Sequence, residues 1–165
     1  MSTLFVDTIN EKTSGNGIKI PGHQVQIVQN FIDTPVSVNS AAYTSCATQA
    51  ITPKFSDSKI RVQITCSMVG NGSAGHGTFF QLYRDSTVIG FAYGTSYSTS
   101  GGFIPSSNSD VGTLAIDYLD SPATASSITY DLRMGAFNGI AYLGRRGDTA
   151  HTSAPIFITL TEIAQ

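Results

Sequence analysis

Residues 59–69 read KIRVQITCSMV, and their rhythm decides the fold class. Ile60, Val62, Ile64, Cys66 and Met68 alternate with Arg61, Gln63, Thr65 and Ser67. A period of two held over this length puts one set on a buried face and the other on the opposite face, which is the pattern of a β-strand. The same beat recurs in SITYDLRM (127–134), where Ile128, Tyr130, Leu132 and Met134 share a phase, and in TLAIDYL (113–119), where Leu114, Ile116 and Tyr118 do. Further strands are expected over 24–32, 43–51, 79–84, 88–93, 139–143 and 155–163. Nowhere does a helical period persist for three turns.

Turn-forming stretches separate these pieces: FSDSK, GNGSAGHG, RDST, DSPATASS and FNG. Runs of strands without intervening helices bury their apolar faces sheet against sheet, so the expected fold is all-β, an antiparallel β-sandwich or jelly roll. This body spans 23–165 and follows a short extended N-terminal anchor segment over 1–22. Its core should contain Ile60, Val62, Ile64 and Met68 with Leu114, Ile116, Ile128, Tyr130 and Leu132, because a one-residue slip would turn each set to the other face. The one low-complexity stretch, GTSYSTSGGFIPSSNSD (94–110), exceeds the length at which loops in compact domains are usually functional or disordered.

A chain of 165 residues fits one domain with one core. Charged residues make up 12%, about half the roughly 25% usual for soluble domains, and Gly, Ser and Thr fill the gap. So little charge suits surfaces that become buried in an oligomer. Nine basic and eleven acidic residues leave a net charge of −2, and only Arg145 and Arg146 are adjacent among the basic ones, which argues against a nucleic-acid partner. No apolar run approaches a membrane span, so no membrane insertion is expected, and no signal peptide is visible. Cys46 and Cys66 could bridge, but Cys66 lies on the apolar phase of its strand, where a thiol acts as a small hydrophobe; two buried thiols are the favoured reading.

The stretch VDTINEKTSGNGIKIPG (6–22) stands apart. Its Asn-Gly pair between apolar pieces favours positive φ and a hairpin joining residues 5–9 to 17–20. Two such strands alone are marginal in water and must lean on something else. Asp7, Thr8, Ile9, Lys12, Thr13, Ser14, Gly15, Asn16, Gly17 and Ile18 carry a D-T-I…K-T-S-G-N-G-I pattern that resembles the opening element of tail-fibre-like and other virion proteins of bacteriophages, especially those infecting cyanobacteria. FFQLYRDSTVIG (79–90) resembles the strand, turn and strand in the trimeric jelly-roll tips of such proteins, which share an architecture with the C1q and tumour-necrosis-factor group. The resemblance implies a homotrimer that docks to other virion proteins through those ten N-terminal residues and is located in the virion. Because the body begins directly after Pro21 and Gly22, a short spike, a fibre tip or a capsid-decorating protein is implied rather than a long shaft.

Sites for chemistry are thin. His23, His76 and His151 stand apart from each other and from any metal-ligand spacing, and no cofactor is implied. No serine sits in a G-x-S-x-G elbow, and GNGSAGHG follows a strand without opening a helix, so neither hydrolysis nor phosphate binding is indicated. Asp117, Asp120 and Asp131 read as turn and solvent-face residues rather than a glycosidase pair. RRGD (145–148) contains a tripeptide read by integrins, a match that chance readily produces. The better candidate is a receptor-binding loop carrying Tyr93, Tyr97 and Phe103 among serines and glycines, where aromatics offer sugar rings an apolar face; packing of these rings between subunits is the alternative. The expected function is therefore a non-enzymatic structural component of a phage particle, with capsid cement and a carbohydrate-binding module as rivals.

Overall fold

The computed structural model describes residues 8–11, 15, 17–90, 99–149 and 151–165. Among them there is no helix, and eleven strands form two antiparallel sheets. The strands are β1 (Gln24–Ile32), β2 (Val36–Val38), β3 (Thr44–Ile51), β4 (Lys59–Asn71), β5 (Gly77–Arg84), β6 (Thr87–Ile89), β7 (Gly101–Phe103), β8 (Gly112–Asp120), β9 (Ile128–Phe137), β10 (Ala141–Leu143) and β11 (Ile156–Ile163). The first sheet runs β1-β11-β4-β10-β2, with β8 on the other edge of β4; the second runs β3-β9-β5-β6, with β7 also on β5.

Three rows of these sheets hold two strands end to end. β1 and β2 pair with β11 and β10 in turn, β11 and β10 lie along the same edge of β4, and β6 and β7 share one edge of β5. Counted by rows along the chain, the first sheet is 1-8-3-6 and the second 2-7-4-5. That is the order of an eight-row hairpin folded over on itself, the jelly roll. The alternating strands bury Ile60, Val62, Ile64, Leu114, Ile116, Ile156, Ile158 and Leu160 from one sheet against Phe80, Leu82, Ile128, Tyr130, Leu132 and Met134 from the other.

Met68 departs from expectation. The β4–β8 pairing slips between Cys66 and Val69, so the phase of β4 flips there: Val69 is buried and Met68 only half-buried. β6 is also shorter than the expected 88–93, although 91–93 lie outside the described residues. β2 and β7 have three residues each, too few to carry a readable period, and β7 rises within the serine- and glycine-rich stretch.

The expected N-terminal hairpin is not formed by the described residues of that segment, none of which is in a strand. Instead the Glu11 carboxylate accepts the backbone N–H groups of Gly15 and Gly17 at 2.9 and 2.7 Å, and both glycines have positive φ, 86° and 78°. The segment then leans on the body. Lys19 pairs with Asp57 at 2.6 Å and lies 5.5 Å from the centre of the Phe55 ring. Gly22 N–H donates to Ala164 O, and Ala164 N–H to His23 O, extending the β1–β11 ladder.

Candidate functional site

Asp117, Asp120 and Asp131 are each engaged by an arginine. Asp120, at the end of β8, is buried, and both its oxygens accept from Arg84 Nη1 at 2.9 Å while Oδ2 also accepts the Tyr130 hydroxyl at 2.7 Å. Asp131 is buried too, accepting from Ser45 Oγ and Arg133 Nε, each at 2.7 Å. Their expected place in turns or on the solvent face is thus corrected: each carboxylate is held where specific donors offset its desolvation. Asp117 does lie exposed, clamped by Arg61. Glu162 is fully buried, with Oε1 accepting from the N–H groups of Lys54 and Phe55 and Oε2 from Gln26 Nε2, so it pins the 52–57 connection to β1 and β11.

Among the described residues, no three His, Cys, Asp or Glu side chains gather as metal ligands. Cys46 and Cys66 are free thiols on different sheets, and of the two expected buried thiols only Cys66 is buried: Cys46, at the register shift of β3, is half-buried. Burial pushes the Cys46 thiol up to about 12 and raises that of Cys66 as well, the opposite of what a nucleophile needs. In RRGD, Arg146 and Asp148 pair with each other, and Arg145 stacks over Tyr142 at 4.2 Å. Gly147 is pressed against β4, where a methyl group would lie 2.0 Å from Asn71 O. The tripeptide is a packing feature of a loop laid over the end of β4.

Of the ten N-terminal docking residues, Thr8, Ile9, Gly15, Gly17 and Ile18 are exposed; Asp7, Lys12, Thr13, Ser14 and Asn16 lie outside the described residues. Tyr93 and Tyr97 also lie outside them. Phe103 is in β7, half-buried against the core, its ring over Gly112.

An apolar surface that sequence reading missed lies on the outer face of the first sheet. Ile27 and Phe31 of β1 are each 56% exposed, and Leu119 of β8 is 49% exposed. Phe31 pairs across the strands with Phe157 of β11, ring centres 5.3 Å apart. Beside Phe157, an open cleft of about 210 Å³ is lined by Thr65, Ser67, Thr113, Ala115 and Pro155. At the other end of this face, Arg61 and Asp117 neutralise each other. A signal for this surface exists in the sequence: in QVQIVQNFI and IFITLTEI, Val25, Ile27, Phe31 and Phe157 fall on the phase opposite to Val28, Ile32, Ile158 and Leu160. No protein-family model matches the chain, and no curated protein matches it.

Proposed function

We propose that the chain is a non-enzymatic structural component of a phage particle, a short tail fibre, spike or fibre tip. It forms a homotrimer and docks to other virion proteins through its N-terminal segment. The observation that carries the self-association is the outer face of the first sheet, where Ile27, Phe31, Phe157 and Leu119 present apolar surface around a self-neutralised ion pair. Apolar surface rimmed by polar residues is a mark of an interaction site. With Arg61 and Asp117 already paired, a second copy meets that face without uncompensated charge. The phage assignment is supported by the D-T-I and K-T-S-G-N-G-I elements of the N-terminal segment together with the jelly-roll body.

Light scattering on the purified chain tests the assembly: a trimer at micromolar concentration is expected, and a monomer would remove the reading. Antibody labelling of intact particles tests the location, with signal at the tail expected. Signal over the head instead would favour a cement protein lying across capsid subunits.

A further inference from the structure

On the outer face of the first sheet, strand register sets the side chains at three levels. The upper level reads Phe31, Phe157, Thr65, Ala115 across β1, β11, β4 and β8. Two residues lower it reads Gln29, Thr159, Gln63, Asp117, and two lower again Ile27, Thr161, Arg61, Leu119. Residues two apart on a strand share a face, so each level is one row of that face.

Along the upper row, two rings are followed by two small side chains. Phe31 is 56% exposed and leans on Phe157, ring centres 5.3 Å apart. Beyond Phe157 the surface drops over Thr65 and Ala115 into the cleft, whose lining reaches the buried Cys66 and Leu114. Its volume of about 210 Å³ has room for one phenyl ring. The row therefore carries a knob at its β1 end and a hole toward β8. Phe31 does not fill its own hole, because Phe157 stands between them.

We propose that the occupant of the cleft is Phe31 of a second copy of this chain, the two copies being related by an axis parallel to the strands. The inference rests on the reading of this face as the surface of self-association. Such an axis keeps the levels and brings the β1 side of one copy against the β8 side of the next. Each level then meets its complement. Phe31 enters the cleft, Gln29 brings an amide to the Asp117 carboxylate, and Ile27 lies against Leu119, which is 49% exposed. The incoming ring packs on Phe157 from the side away from the resident Phe31, so Phe157 lies between two rings. Arg61 and Asp117 are already joined within one copy, so the contact brings no net charge. An axis crossing the strands would reverse the levels and set Asp117 against Asp117 of the other copy, a like-charge meeting that disfavours it. Repeated about a three-fold axis the contact closes a ring; about a two-fold axis it occurs twice.

Covalent capture tests the contact. The double variant Ile27→Cys with Leu119→Cys leaves ring and cleft untouched. Its two new thiols lie three strand spacings apart in one chain, about 14 Å, beyond the roughly 7 Å between Cα atoms that a disulfide spans, so only bonds between copies can form. Mild oxidation, with the native chain as the blank, is expected to give covalent trimers on non-reducing gels. Covalent species that stop at the dimer would support the contact while removing the three-fold reading. No covalent species in a chain that light scattering shows to be trimeric would overturn the contact and leave the trimer standing. Capture in Asp117→Cys alone would show that the levels are reversed, and would overturn it too. Ala115→Trp, which fills the hole from an exposed position, is expected to weaken self-association by about tenfold or more, and undiminished assembly of that variant would likewise overturn the proposal.

Discussion

Tyr130 of β9 donates its hydroxyl to Asp120 Oδ2 of β8 at 2.7 Å, a hydrogen bond from one sheet to the other at the end of the sandwich. Arg84 of β5 closes on the same carboxylate, so one buried acid joins three strands. Burial first, and then the bond to Asp120, raises the Tyr130 ionisation above its ordinary value of 10.0. A raised folded-state value favours the neutral phenol in the fold. Its contribution is fully present below about pH 10 and is lost progressively as the pH rises above that point. Urea melts should show stability falling above pH 10 in the native chain and falling less in Tyr130→Phe. At neutral pH that variant should lose about 1–3 kcal/mol, because Asp120 then has one donor fewer. Identical alkaline slopes in the two chains would refute the assignment.

Ile64 is fully buried and Gln63, on the opposite phase of β4, is half-buried on the outer face. Ile64→Ala is expected to cost about 2–5 kcal/mol through lost burial and the cavity left behind. Gln63→Ala should stay within about 0.5 kcal/mol in a monomeric state. Comparable losses at both positions would show that the outer face is packed as tightly as the core.

Gly147 and Asp148 should part company. A methyl group at Gly147 collides with backbone at Asn71 O, which no rotamer can relieve, so Gly147→Ala should destabilise by about 2 kcal/mol or more as the loop is pushed off β4. Asp148→Ala removes only a partly exposed ion pair with Arg146 and should cost less than about 1 kcal/mol. Thermal melts of the two variants make the comparison, and equal midpoints would contradict the close backbone approach.

Both thiols should be slow toward an alkylating reagent at pH 8 in the folded chain and fast in urea. Cys46 ionises near pH 12 in the fold, against 9.0 when exposed, because burial disfavours the thiolate. The same shift removes stability as the pH rises from about 9 toward 12. Rapid labelling of the native protein, read by mass spectrometry, would show that the β3 edge opens.

Phe31→Glu and Ile27→Glu place charge on the outer face of the first sheet without touching its core. Each is expected to yield a monomer in place of the proposed trimer while leaving the far-UV circular dichroism unchanged. A variant that stays trimeric would move the interface elsewhere on the molecule.

The alternation of Ile60, Val62, Ile64 and Cys66 was enough to make the chain all-β, because the two-residue period of a strand is a local property that any stretch of about eight residues displays. Most strands, and most of the expected core, were legible for that reason. Three features were not. Met68 obeys the same alternation as Ile64, yet loses its core position to Val69 because a slip in pairing with β8 turns the strand, and that slip depends on a segment over forty residues away. Asp120, Arg84 and Tyr130 carry no motif; only the register of β8, β5 and β9 brings them together. Glu162 falls on the core phase of Ile158 and Leu160, and nothing in the sequence shows that Gln26 and the amides of Lys54 and Phe55 close around its carboxylate there. The composition and period of the sequence by themselves settled that strands form and which side of each is apolar. Which polar groups are buried, and which apolar face is left outward, was decided by pairing between distant strands, since the desolvation of a carboxylate is offset only where the fold has placed its donors.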